Sequence, residues 1–225
     1  MVSFKGAHFA KDIILTCVRW YVAYPLSYRQ LEELMQERGV AVDHATINRW
    51  VVKYSPQLEA AFHRRKRPVW LSWRMDETYI RVRGHWHYLY RAVDKTGHTI
   101  DFLLTTHRDE SAAKRFLARA IRRHGVPETI TIDGSEANAT AIRSYNGVHG
   151  TAIVIRQVRY LNNVVEQDHR AVKRVIRPTL GFKAFNAAQH TLAGVELMHM
   201  IRKGQWTGGA EQGLTAAAQF YALAA

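Results

Sequence analysis

The sequence is short of four things, and most of these shortages exclude a class of protein. It has one cysteine, Cys17, which excludes a disulfide framework and any zinc site built from cysteine pairs. It has no apolar run approaching the roughly 18 to 20 residues that cross a bilayer. Its first residues, Met1-Val2-Ser3-Phe4-Lys5-Gly6-Ala7-His8, carry no apolar signal core. Acids are scarce: 19 Asp and Glu stand against 32 Lys and Arg, a formal charge of +13. That excess suits a protein that binds a polyanion, because each cation that neutralises a phosphate releases a counterion. An anionic membrane surface is the rival explanation, but no segment combines a broad apolar face with a basic one. The expected setting is a reducing cytoplasm, at DNA. What is present, 47% apolar and 23% charged residues over 225 positions, is globular, with no repeat or low-complexity tract.

Three helices are predicted first. Phe9, Ile13, Cys17, Trp20 and Tyr24 recur at helical spacing over 8–24, and Pro25 ends the run. Ser27 can cap a helix over 28–38, and Gly39 supplies a left-handed stop. Asp43 can cap a third helix over 44–54, with Pro56 beyond it. The basic run 63–68 reads as a linker. The period then becomes strand-like: strands over 69–82, 85–93 and 98–106 are joined by turns at Gly84 and at Asp94-Lys95-Thr96-Gly97. A helix over 110–123, a strand over 128–133, a helix near 136–145, a strand over 151–155 and helices near 162–177 and 186–203 follow. The order β-β-β-α-β-α-β-α is that of a ribonuclease H-like core, here preceded by an all-α helix-turn-helix domain. The expected domains are 1–62 (helix-turn-helix), 63–68 (basic linker), 69–203 (core) and 204–225 (tail).

In so basic a chain the positions of the acids carry information. Asp76 lies inside the first apolar strand, where a carboxylate is costly unless it is paired or binds a metal. Asp133 ends the short apolar strand, at the edge where open α/β sheets collect ligands. Glu166 lies near the start of the helix that follows the next strand. In the ribonuclease H-like arrangement the first and fourth strands are neighbours, so these three acids would meet. Three carboxylates without cysteine select a hard cation, Mg²⁺ or Mn²⁺, and two such ions serve phosphoryl transfer. The bland alternatives are an exposed edge acid, a turn-forming Asp and a surface charge pattern. Glu77 and Glu136 stand beside Asp76 and Asp133 as lesser candidates; adjacent strand residues point to opposite faces.

The expected DNA contacts follow from charge and helical spacing. Thr46, Asn48, Arg49 and Lys53 lie off the apolar stripe of the third helix, where Asn can pair with adenine and Arg with guanine or phosphate. Arg64, Arg65, Lys66 and Arg67 would track the backbone. Lys173 and Arg177 share a helical strip with Glu166, and Arg170 joins them as a contact. Trp20, Trp70 and Trp86 are expected in the core, His85 and His87 on a polar strand surface, and Cys17 buried and inert.

Met75-Asp76-Glu77-Thr78-Tyr79, the run Gly84–Asp94, and Tyr160-Leu161-Asn162-Asn163-Val164-Val165-Glu166-Gln167-Asp168-His169-Arg170 resemble the catalytic core of IS6-family insertion-sequence transposases, and the likeness spans nearly the whole chain. The resemblance implies a DDE transposase in which Asp76, Asp133 and Glu166 hold two Mg²⁺ or Mn²⁺ ions and Lys173 contacts the transposon end. It also implies action on terminal inverted repeats and target DNA by a replicative route. A homodimer or larger synaptic assembly in a bacterial, nucleoid-associated setting follows. The rivals are a non-catalytic DNA-binding regulator, a decayed transposase and a nuclease of the same fold.

Overall fold

A computed structural model describes residues 2–208 and 213–224. The chain divides into two compact units, residues 1–67 with 172–225, and residues 68–171. Residues 209–212 and 225 of the expected tail lie outside the described part.

The first unit is helical. Helix α1 (Lys11–Ala23) buries Ile14, Leu15, Cys17, Val18, Tyr21 and Val22, one position away from much of the predicted stripe: Tyr24 is exposed, and Ile13 and Trp20 are half-buried. Helix α2 (Tyr28–Gln36) opens on a capping box in which the Ser27 hydroxyl accepts from Gln30 N–H and the Gln30 side chain accepts from Ser27 N–H. Gly39, at φ 73°, follows it. Asp43 caps helix α3 (His44–His63) by accepting from Thr46 N–H. This helix does not stop near Pro56. Proline removes only the amide that would bond to Val52, while Tyr54, Leu58 and Phe62 continue the buried stripe for two more turns. Helix α7 (Phe185–Arg202) belongs by its contacts to this unit, packing chiefly on α3 and also on α1. Every residue from Thr191 to Met198 is buried. At Gly194 an added Cβ would lie 2.5 Å from the Ser55 hydroxyl and 2.7 Å from Val22 Cγ1, so its hydrogen is what lets the helices approach. A last helix, α8 (Ala216–Ala222), packs on α7 and α1. The expected linker is partly tethered: Arg67 N–H donates to the Gln205 carbonyl and Thr207 N–H to that of Arg65, and the Arg65 guanidinium lies over the Trp206 ring.

The second unit is a five-stranded sheet with helices. Strands β1 (Ser72–Val82), β2 (His85–Asp94) and β3 (Thr99–Thr105) form an antiparallel meander. The Asp94 carboxylate, fully buried, builds the second turn by accepting from Thr96 N–H and Oγ1 and from His98 N–H. Helix α4 (Glu110–His124) leads to β4 (Thr129–Ile132), and α5 (Glu136–His149) to β5 (Val154–Gln157). Both short strands run parallel to β1, and the sheet order is β3-β2-β1-β4-β5. This is the ribonuclease H-like arrangement. Trp73, Met75, Tyr90, Ala92, Ile130 and Ile132 on one face pack with Phe116, Leu117 and Ile121 of α4 and Ile142 of α5. A 3-10 turn (Arg159–Asn162) then leads into α6 (Asn163–Ile176), whose first nine residues belong to this unit.

Candidate active site

The site grows out of one register. β1 and β4 pair in parallel as Ser72↔Thr129, Trp73↔Ile130 and Arg74↔Thr131. Continued two residues further, the same register brings Asp76 level with Asp133, where the strands part. Residues level with one another on neighbouring strands share a sheet face, so both carboxylates lie on the face opposite the α4–α5 core. Asp76 is buried, 9% exposed. Asp133 is exposed, and its carboxylate accepts from Ser135 N–H across Gly134, at φ 98°.

Glu166 is exposed in the first turn of α6. Two buried contacts tie this segment to the strands beside Asp76. The Asn162 amide donates to the Met75 carbonyl at 3.4 Å. The Arg91 guanidinium, fully buried and the cross-strand neighbour of Asp76, donates to Asp168 at 2.7 Å. Asn162, Arg91 and Asp168 carry no role in the sequence reading. The acid-free stretch 78–93 around a lone buried arginine was the one available signal, and its partner 77 residues away was not visible.

Asp76 feels the neighbouring acids. Burial, then the charge of Glu77, and then those of Asp133 and Glu166 push the Asp76 carboxyl up to about 7. Glu77 lies on the other face. It bonds with Arg108 and accepts from the Asn138 amide at 3.0 Å, so it is spent on the core side. Glu136 pairs with Arg143 at 2.7 Å and accepts from Thr140, which holds its carboxyl below the ordinary range. Among the described residues no three His, Cys, Asp or Glu side chains close into a cluster that holds an ion. The donor set nevertheless fits a hard divalent cation: it consists of carboxylates alone, and their mutual repulsion is what a cation relieves.

The expected DNA contacts are mostly accessible. Asn48, Arg49 and Lys53 are exposed on α3. Thr46 is half-buried and committed to the helix cap, its hydroxyl donating to Asp43 at 2.6 Å while the Arg49 guanidinium donates to it at 2.5 Å. Arg64 and Arg65 are exposed; Lys66 and Arg67 are half-buried. Arg170 and Lys173 are exposed on α6, and Arg177 is exposed in the 3-10 turn (Arg177–Thr179) past its end. Trp70 and Trp86 are not core residues: they are 55% and 59% exposed. Cys17 is buried, its thiol pushed up to about 11 by burial, and so unreactive.

Likeness to known sequences gives the class, a polynucleotidyl transferase with a DDE core. Residues 70–205 match the family model of the DDE domain, DDE_Tnp_IS240. The chain is 38% identical over 210 residues to the transposase for insertion sequence-like element IS431mec of Staphylococcus aureus strain Mu50, covering 90% of each chain. The same identity and coverage relate it to the S. aureus transposase for insertion sequence element IS257 in transposon Tn4003. Among solved structures it is similar to the HTLV-2 integrase catalytic core domain in complex with magnesium, at 15% identity and TM-score 0.46, over 67% of this chain and 95% of that one. The chain belongs to the IS6 family of insertion-sequence DDE transposases. It is a DNA transposase, and its DDE core implies use of a divalent metal ion. No helix among the described residues is long and apolar enough to cross a membrane.

Proposed function

We propose that Asp76, Asp133 and Glu166 are the metal-binding triad of a transposase that cuts one strand at each end of its element and joins the freed 3′-hydroxyl to target DNA. The observation that carries this is the single register that levels Asp76 with Asp133, together with the field of Asp133 and Glu166 at Asp76. Two Mg²⁺ or Mn²⁺ ions, held by these three carboxylates, would supply positive charge for phosphoryl transfer. The chain's own part is positional. Burial keeps water from Asp76, whose carboxyl would hold a cation in its ionised form. Arg91 and Asn162 hold the Glu166 segment against β1 and β2.

The α2–turn–α3 unit reads the terminal inverted repeat through Asn48, Arg49 and Lys53, with Thr46 fixing Arg49 from the cap. Arg64 and Arg65, with Lys66 and Arg67, follow the backbone. Arg170, Lys173 and Arg177 contact phosphates beside the cut. The reading extends to a homodimer or larger assembly that synapses two ends, to replicative transposition, and to a nucleoid-associated protein of the bacterial cytoplasm. The test is an Asp133→Asn variant. It is expected to bind a duplex carrying the element's end within about twofold of wild type, and to lose Mg²⁺-dependent cleavage by at least about a hundredfold. Loss of end binding would show that binding and chemistry are not separate. Retained cleavage would remove Asp133 from the triad.

A further inference from the structure

The exposure of Trp86 follows from where the strands end. β4 pairs with β1 only through Arg74, and β3 pairs with β2 only as far as Tyr88. Residues 79–88 therefore form a two-stranded ribbon that, beyond the Tyr88–Thr105 pair, has no further strand on either side among the described residues. Its faces differ. Ile80 and Val82 are buried on one. The other holds Tyr79, 48% exposed, and Trp86, with Tyr88 half-buried beside them. Tyr79 meets Trp86 edge-on at 6.1 Å and Tyr88 at 5.4 Å. Arg81 is exposed opposite Trp86 in the register, and Arg83 is exposed at the tip turn. From Thr78 to Val93 there is no acid, against three arginines and two histidines.

Such a surface has the two parts that bind an unpaired nucleic-acid strand: ring faces for bases and cations for the backbone. Its position adds a third observation. The ribbon continues β1 directly from Asp76, and Tyr79 stands three residues on, about 10 Å at 3.3 Å per residue. No strand pairs with β1 on its β4 side past Arg74, and the Asn162 amide covers that edge at the Met75 carbonyl, so a DNA strand leaving Asp76 can pass over the edge beyond Met75 to the aromatic face on the opposite side of the sheet. At 3.4 Å per stacked nucleotide, the path takes about three nucleotides or more.

We propose that the Tyr79–Tyr88 ribbon is a platform for single-stranded DNA, engaging the unpaired strand next to the cut. The proposal rests on the reading of the Asp76–Asp133 edge as the cutting site. Its test is made without metal, so that the two stand or fall separately. Fluorescence anisotropy in EDTA compares full-length protein on a blunt duplex of the element's end with the same duplex bearing 3′ overhangs of one, three and five nucleotides. Wild type is expected to prefer the three- and five-nucleotide overhangs over the blunt and one-nucleotide forms. Trp86→Ala should weaken overhang binding about tenfold, about 1.4 kcal/mol, and blunt binding less than twofold. Trp86→Phe should keep most of the preference, and Arg81→Ala should lower the salt slope by about one. Because the Trp86 ring is more than half exposed, thermal melting of these variants should stay within a few degrees of wild type. Equal losses on blunt and overhanging DNA, or no loss on either, overturn the proposal. So does a Trp86→Ala variant that loses self-association in sedimentation yet keeps the overhang preference, which would make the ribbon a contact between copies. Asp76→Asn should abolish cleavage and leave the preference intact; continued cleavage would remove the catalytic reading and leave the platform standing.

Discussion

Asp76 should make the metal-free protein less stable as pH rises, and Asp76→Asn should remove that dependence. The carboxyl is pushed from 3.8 to about 7 in the folded chain. Between those values the native state holds a proton that the unfolded chain releases. The contribution of Asp76 to stability is thus highest below about pH 4, falls through the window from about 4 to 7, and is level above it. Three pKa units correspond to ~4 kcal/mol in all, of which about 2 to 3 kcal/mol lies between pH 5 and pH 8. Urea unfolding in EDTA at pH 5, 6, 7 and 8 measures it. The quantity that counts is the difference between wild type and Asp76→Asn, which cancels the other titrating groups. The variant is expected to gain on wild type by about 2 kcal/mol from pH 5 to pH 8, and saturating Mg²⁺ should close the gap by stabilising wild type alone. Parallel pH profiles for the two proteins would refute the argument, since a carboxyl with no raised pKa has nothing to give back.

Other outcomes follow from single contacts. Asp168→Asn or Arg91→Leu leaves a buried charge without its partner across the 2.7 Å bond, and should cost about 3 to 5 kcal/mol by chemical denaturation, whereas an Arg91→Met/Asp168→Leu pair should recover most of it. Gly194→Val places side-chain atoms where Ser55 and Val22 already stand and should lower stability by about 1 to 3 kcal/mol, while the exposed Gly147, with nothing near its added Cβ, should accept Ala with a small gain. Proton release on Mg²⁺ binding, followed by calorimetry in buffers of different ionisation heat, should be near one per site at pH 6 and fade above pH 8, as Asp76 is then already ionised.

What was legible in the sequence was what local chemistry states. Ser27 and Asp43 cap where a cap was predicted, and Gly84 and Asp94–Gly97 turn where a turn was predicted. The alternation of strand and helix was enough to order the sheet, and Asp76 and Asp133 could be paired because strand order alone makes β1 and β4 neighbours. What was hidden depends on contacts far apart in the chain. The helix over 185–202 is buried without a break from Thr191 to Met198 and has no stripe to show what it packs on, so its place beside α3 could not be read. Pro56 looked like an end because its helix-breaking term is local, while the burial of Leu58 and Phe62 that outweighs it is not. The predicted stripe of α1 missed by a position because Ile13, Ile14 and Leu15 offer two apolar faces, and only packing selects one. Trp86 was expected inside because aromatics usually are; that β3 and β4 stop short of it is a matter of strand length. The Arg91–Asp168 pair joins residues 77 apart, and nothing local announces it.

The central claim is that Asp76, Asp133 and Glu166 act together on DNA through a divalent cation. A strand-transfer assay tests it most directly, with a labelled duplex of the element's end, a supercoiled target plasmid, and Mg²⁺ or EDTA, comparing wild type with Glu166→Gln. The account predicts joined product from wild type in Mg²⁺, none in EDTA, and none from Glu166→Gln, which should still bind the end. Joining by Glu166→Gln at the wild-type rate would contradict it, as would wild-type protein that binds ends but neither cuts nor joins while a control transposase does both.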